Sequence, residues 1–193
     1  MAQALPIGIQ QLISLKEVKL RQQPKFVGNK YEVVTMDDQF IAKAKEEGGL
    51  GAFFGGSSRS FHMDLTDQDE RPIVNLRRPY TFGGDKMEVS MGGKVVCIVR
   101  QQMTFFKCIL HINDASDRPV LRIKGDFSSW DYQLQTSDKK PIGHITKKFG
   151  GLMKELFTDY DTYLISFPQD LDVRFKAAVI GSCVLIDYLQ HEK

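Results

Sequence analysis

The chain has 193 residues, 26% of them charged, and a formal net charge of +2 at pH 7. That length and balance suit one folded unit with a proper core. They argue against an intrinsically disordered chain and against a dedicated polyanion binder, so nucleic acid is not an expected partner. The three cysteines, Cys97, Cys108 and Cys183, lie in apolar runs with no C-x-x-C pair, which reads as buried free thiols in a reducing compartment. No charged n-region followed by a long apolar run opens the chain, so no cleaved targeting segment is expected.

Taken in order, residues 1–11 read as a loose lead-in, and the single domain is expected over 12–193. Short alternating runs then recur between acidic or Gly-rich turns, the mark of an antiparallel meander. Leu12 to Leu20 alternates and is broken by Gln22-Gln23-Pro24. Tyr31 to Thr35 and Phe40 to Lys45 flank Asp37-Asp38. Phe61 to Leu65 and Ile73 to Leu76 form the next pair. Met87 to Met91 and Lys94 to Arg100 flank Gly92-Gly93, a strong hairpin signal. Thr104 to Ile112 pairs with Val120 to Lys124, and Tyr132 to Gln135 with Ile142 to Thr146. The runs D-E-R-P, S-D-R-P and S-D-K-K-P share one grammar. In each, an acidic turn and a basic residue lead to a proline (Pro72, Pro119, Pro141) where a strand begins and no ladder donor is lost.

The last segment, Asp170 to Gln190, reads as a helix with Asp170 as N-cap and Asp172 in the first turn. No residue from Ala177 to Ile186 is charged, and every face is apolar or small, so the segment must be surrounded by protein or by lipid. A bilayer span needs roughly 20 mostly apolar residues, whereas ~10–14 reads as a buried core helix. A short or conditional membrane span is the alternative. Ten to twelve strands followed by one helix predict a mainly β fold. Its sheet closes as an antiparallel barrel of about twelve strands, whose lumen needs a plug. Ala177, Val179, Ile180, Val184 and Leu185 are the expected core of that plug.

Five segments carry a resemblance to a known family: N-K-Y-E-V (Asn29 to Val33), G-H-I-T-K-K-F-G-G-L (Gly143 to Leu152), E-L-F-T-D-Y-D (Glu155 to Asp161), I-S-F-P-Q-D-L-D-V (Ile165 to Val173) and A-A-V-I-G-S-C-V-L-I-D (Ala177 to Asp187). In these the chain resembles the phospholipid scramblases. The resemblance implies a tubby-like barrel around a central hydrophobic helix. It also implies calcium-dependent, ATP-independent, bidirectional movement of phospholipids between leaflets. The implied partner is a phospholipid membrane, with protein partners besides. The implied location is the cytoplasmic side of the plasma membrane, peripheral or single-pass, and also cytoplasm and nucleus. Two family features are missing: a proline-rich N-terminal extension, and a cysteine cluster after the R-P element, here Arg78-Pro79. A second expectation is therefore a tubby-like membrane-associated or nuclear adaptor that binds lipid or protein and translocates nothing.

The resemblance also implies a calcium segment, D-Y-D-T-Y-L-I-S-F-P-Q-D, with Asp159, Asp161, Tyr163, Ile165, Phe167 and Asp170 at the ligand positions. By residue chemistry Ile165 and Phe167 are poor ligands, and Tyr163 to Phe167 alternates like a strand. A weaker site on Asp159 and Asp161, with Glu155, is the chemically sounder expectation; a solvated acidic turn is its bland counterpart. Phe53 and Phe54, in the Gly-rich stretch Gly48 to Ser58, are candidate membrane wedges, or part of an ordinary loop. Lys147 and Lys148, with Arg77-Arg78 and Lys139-Lys140, are candidate contacts to anionic lipid, or a solvated face. G-x-S-x-G, G-x-x-x-x-G-K-[S/T] and H-E-x-x-H are all lacking, so no covalent chemistry is expected.

Overall fold

A computed structural model describes residues 5–23, 30–46, 60–80, 86–102, 104, 106–126, 128–148 and 161–191. Helix α1 (Ile7–Ser14) precedes strands β1 (Glu17–Gln23), β2 (Lys30–Val34), β3 (Phe40–Glu46), β4 (Phe61–Thr66), β5 (Pro72–Arg78) and β6 (Lys86–Met91). Then come β7 (Lys94–Gln102), β8 (Lys107–Asp114), β9 (Pro119–Asp126), β10 (Asp131–Thr136), β11 (Pro141–Lys148), β12 (Thr162–Ser166) and helix α2 (Val173–His191). Each strand pairs antiparallel with its chain neighbour, and β1 closes on β12 through Val18↔Ile165 and Leu20↔Tyr163. Mainly β, a closed barrel of twelve strands with a C-terminal helix, is the architecture the strand count predicts.

This meander gives the barrel two unlike ends. At one, which we name the turn end, tight hairpins join β2 to β3, β4 to β5, β6 to β7, β8 to β9 and β10 to β11. At the other, the loop end, lie the longer connections and the C-terminus of α2. Four of the hairpins share one geometry. The residue at the head of the turn (Thr35, Asp67, Asp114 or Thr136) exchanges backbone hydrogen bonds with the residues three and four further on. Its side-chain oxygen accepts a further N–H from Gln39, Arg71, Arg118 or Lys140 at 3.0–3.1 Å. The fourth residue of each (Asp38, Glu70, Asp117, Lys139) is left-handed, and a register shift follows. The three-proline grammar is therefore repeated turn chemistry, with Thr35 to Phe40 as a fourth copy that lacks the proline. At Gly92-Gly93 both residues have positive φ, as a two-residue type I′ turn requires.

The β8–β9 turn is pH-sensitive. The Arg100 guanidinium and then the Asn113 amide hold the Asp117 carboxyl down, from an ordinary 3.8 to about 2. A carboxylate with a depressed folded pKa stabilises the fold above its unfolded value, and that contribution is lost as pH falls through the folded one. We expect the urea midpoint of the native chain to drop more steeply than that of Asp117→Asn as pH falls from 3.8 toward 2. Parallel curves would show that the pair contributes nothing. The effect is small, since both side chains are partly solvated.

Two expectations at the chain's ends need correction. Residues 7–14, which straddle the predicted lead-in (1–11) and the start of the predicted first run, form α1, and the first strand is Glu17–Gln23 rather than Leu12 to Leu20. Eight residues are too few to hold a helix alone, so tertiary contacts supply the order. Ile9 and Leu12 are buried, and Gly8 lets the helix approach β3 and β5, where an added Cβ would lie 2.8 Å from the Ile41 carbonyl oxygen. The buried Lys176 ammonium of α2 then donates to the carbonyls of Leu12, Ile13, Leu15 and Gln169 at 2.7–3.2 Å, terminating α1 from another element. In α2 the cap is Asp172, not Asp170. Its carbonyl accepts from Phe175 and Lys176, and its carboxylate from the Arg174 N–H.

Candidate functional site at the loop end of the barrel

Inward strand positions are apolar along most of the lumen: Leu20, Val33, Ala44, Leu76, Leu134, Ile145 and Ile165 surround α2. Ala177, Val179, Ile180, Val184 and Leu185 are all 0–1% exposed, so the expected plug core is buried on every face. One step further toward the loop end, the same inward rows become polar. Gln22, Tyr31, Glu46, Arg78, Tyr132, Lys147 and Tyr163 form a collar around the last turns of α2.

Asp187 is the hub of this collar. Tyr31 and Tyr163 each donate a phenolic O–H to it at 2.7 Å, and the Lys147 ammonium stands 3.7 Å away. Lys147 is shared with Asp161 at 2.9 Å and lies over the Trp130 ring at 4.2 Å. Gln190 donates to Tyr132 and accepts weakly from Tyr163 at 3.5 Å. Burial, and then the Asp187 charge, push the Tyr31 and Tyr163 hydroxyls well above their ordinary value, which keeps both as donors. The cation also complements the helix C-terminus, where unpaired carbonyls carry partial negative charge.

The predicted site residues are scattered by this geometry. Asp159, Phe53 and Phe54 lie outside the described residues. Asp161 is paired with Lys147, and Tyr163 spends its hydroxyl on Asp187. Ile165 and Phe167 are buried in the core and have no side-chain oxygen. Asp170 lies at the turn end, beyond the five extended residues of β12. Five such residues rise about 17 Å, so Asp161 and Asp170 do not converge on one ion. Among the described residues this set does not fit a calcium coordination sphere.

The membrane-contact lysines also separate. Lys148 is exposed, but Lys147 points inward with a side chain only 2% exposed, so it is no surface contact. Arg78 is likewise buried. Adjacent strand residues face opposite sides, so a basic pair on a strand cannot form one patch. Alternation already places Ile145 and Lys147, or Leu76 and Arg78, on one face; the rule that charges face out hid that signal.

Outside, the strands carry Lys19, Arg21, Lys43, Arg77, Arg100 and Lys124, all alternating with core positions. This is the reverse of the outward apolar band of a transmembrane barrel. Among the described residues no helix is long and apolar enough to cross a membrane. Between Lys176 and Asp187, α2 rises only about 16 Å, against roughly 30 Å of hydrocarbon.

A twelve-stranded antiparallel barrel sheathing its own apolar C-terminal helix defines the tubby-like class of fold. The same architecture, at 13% identity and TM-score 0.60, occurs in an X-ray structure of an Arabidopsis thaliana protein, covering 95% of this chain and 99% of that one. The Scramblase family model matches residues 4–193, and the chain belongs to that family. It is 30% identical to human phospholipid scramblase family member 5, covering 98% of this chain and 79% of that protein. To bovine phospholipid scramblase 2 it is 31% identical, covering 97% and 72%.

Proposed function

We propose that this protein acts at phospholipid membranes and moves phospholipids between leaflets in both directions, without ATP and without covalent chemistry. The observation that carries this reading is the family match, which spans the barrel and its plug from residue 4 to 193. The charged outer face and the short uncharged rise of α2 favour a seat on the membrane surface. On this proposal calcium is the trigger for that movement.

A second reading is favoured by one observation, the filling of the lumen by α2. Expelling five of its residues, Val179, Ile180, Val184, Leu185 and Ile186, would expose apolar surface worth on the order of 10 kcal/mol, comparable to the stability of a whole domain. On this reading the protein binds membrane lipid or protein and translocates nothing.

Proteoliposomes with a fluorescent phospholipid in both leaflets separate the two. Loss of the protected inner-leaflet signal on adding a membrane-impermeant quencher, faster with protein than without, supports translocation. The comparison with and without calcium tests the trigger. A protected signal that stays constant while the protein co-floats with the vesicles overturns translocation and supports the second reading.

A further inference from the structure

On the outer face of β8 to β11 runs a groove of about 860 Å³. Register orders its lining from the loop end inward. Lys107 stands at the loop end, across from Asp126, with Asp131 beside Thr146. Lys124, Gln133 and His144 follow side by side on three adjacent strands. Gln135 comes next, two residues beyond Gln133 and so about 7 Å further along.

Three features of this lining point to a ligand. First, neither Lys107 nor Lys124 has an ion-pair partner among the described residues, and both line the groove. Second, the His144 ring is held through Nδ1 by the Ser166 hydroxyl at 2.9 Å, and Nε2 has no partner among the described residues. Third, Gln135 is only 8% exposed, and its amide nitrogen donates to Gln133, yet its carbonyl oxygen has no hydrogen-bond partner among the described residues. A buried acceptor left unmade costs about 1–3 kcal/mol, so an N–H donor brought against this oxygen would be favoured.

The groove thus offers Lys107 at the loop end, Lys124 and His144 in the next row, and an open acceptor one step further on. A phosphate followed by a primary ammonium matches that order. At the loop end, Phe106 adjoins Lys107 and is 82% exposed, on a turn fixed by the Lys107 N–H donating to Thr104 Oγ1 at 3.1 Å. A bare aromatic beside a lysine suits the boundary between headgroups and acyl chains. Asp131 accepts from Thr146 at 3.0 Å and lies, like Asp126, at the loop end of the groove, one step short of the row of Lys124 and His144.

We propose that this groove binds the headgroup of a phospholipid bearing a primary ammonium, as in ethanolamine and serine phospholipids. The phosphate lies on Lys107, Lys124 and His144, the ammonium donates to Gln135 Oε1, and Phe106 lodges among the acyl chains. The assignment rests on the reading of the chain as one that acts on phospholipid membranes, and names the lipid class. Choline phospholipids fit less well, since a trimethylammonium has no N–H to donate.

Amide NMR of the intact chain tests this with glycerophosphoethanolamine, glycerophosphocholine and inorganic phosphate. The ethanolamine compound is expected to shift the side-chain amides of Gln133 and Gln135 and to bind about tenfold tighter than the choline compound, the ratio that ~1.4 kcal/mol for one hydrogen bond gives. Gln135→Leu should abolish that preference and Lys124→Ala should weaken both, each in protein whose remaining spectrum is native. Phe106→Ser should lose binding to vesicles of ethanolamine and choline phospholipids while still binding the water-soluble headgroup. No shift, or equal shifts with the choline compound or with phosphate alone, overturns the assignment. Leaflet exchange that persists without headgroup binding sinks the groove but leaves the proposed function standing; headgroup binding without exchange does the opposite.

Discussion

Asp187→Ala is expected to lower the stability of the barrel by about 3–5 kcal/mol, the range found when one partner of a buried ion pair is removed. The Tyr31 and Tyr163 hydroxyls lose the carboxylate they both donate to, at a site 1% exposed, and Lys147 keeps Asp161 but loses Asp187. Urea denaturation followed by tryptophan fluorescence measures the loss, since Trp130 stacks on Lys147. Asp187→Asn keeps an acceptor oxygen and should cost less. Replacing both charges with apolar residues, as in Lys147→Met/Asp187→Leu, should cost less than the sum of the single substitutions, because neither leaves its buried partner behind. A loss below about 1 kcal/mol for Asp187→Ala would mean that water reaches the collar and that the hub does not hold α2.

The second large effect is expected at Gly143, on the strand that brings β11 against β12. A Cβ there would lie 2.2 Å from the Ser166 carbonyl oxygen and 2.9 Å from its carbon. Overpacking typically costs about 1–3 kcal/mol and occasionally more. Backbone in a closed barrel cannot step aside, so Gly143→Ala should reach about 3 kcal/mol or beyond. Gly181, inside α2, is the informative contrast. Its Cβ would meet Leu76 Cδ2 at 2.7 Å, the movable end of a side chain. Alanine gains about 1 kcal/mol of helix propensity over glycine, so Gly181→Ala should be close to neutral. Thermal unfolding of the two variants side by side checks the pair. Equal losses would show that the kind of atom in the way does not decide the cost.

Strands were legible because alternation is a local property. The predicted runs and the observed strands agree to within a few residues from β2 to β12, and Gly92-Gly93 marks its hairpin outright. Misreadings fall where local and distant forces compete. Asp170 and Asp172 are both plausible caps, and Asp172 takes the role in the folded chain. The eight residues of α1 have no side-chain cap of their own and borrow Lys176, more than 160 positions away. Lys147 and Arg78 looked like surface charge, since nothing nearby in the chain announces the carboxylate of Asp187 or the interior of the barrel's rim.

From the sequence by itself came the closed sheet, the apolar plug and the family, because side-chain periodicity and an uncharged ten-residue run are written along the chain. Only the tertiary structure decided which charges turn inward, and that the calcium segment's Tyr163, Ile165 and Phe167 serve the core. The same holds for the carbonyl of Gln135, which lines one groove with Lys124 of the next strand and Lys107 of the strand beyond it. The physical reason is the cost of burying charge. A lysine enters the interior only if acceptors wait there, backbone carbonyls for Lys176 and carboxylates for Lys147, and Asp187, forty residues on, meets Lys147 only once α2 lies inside the closed barrel.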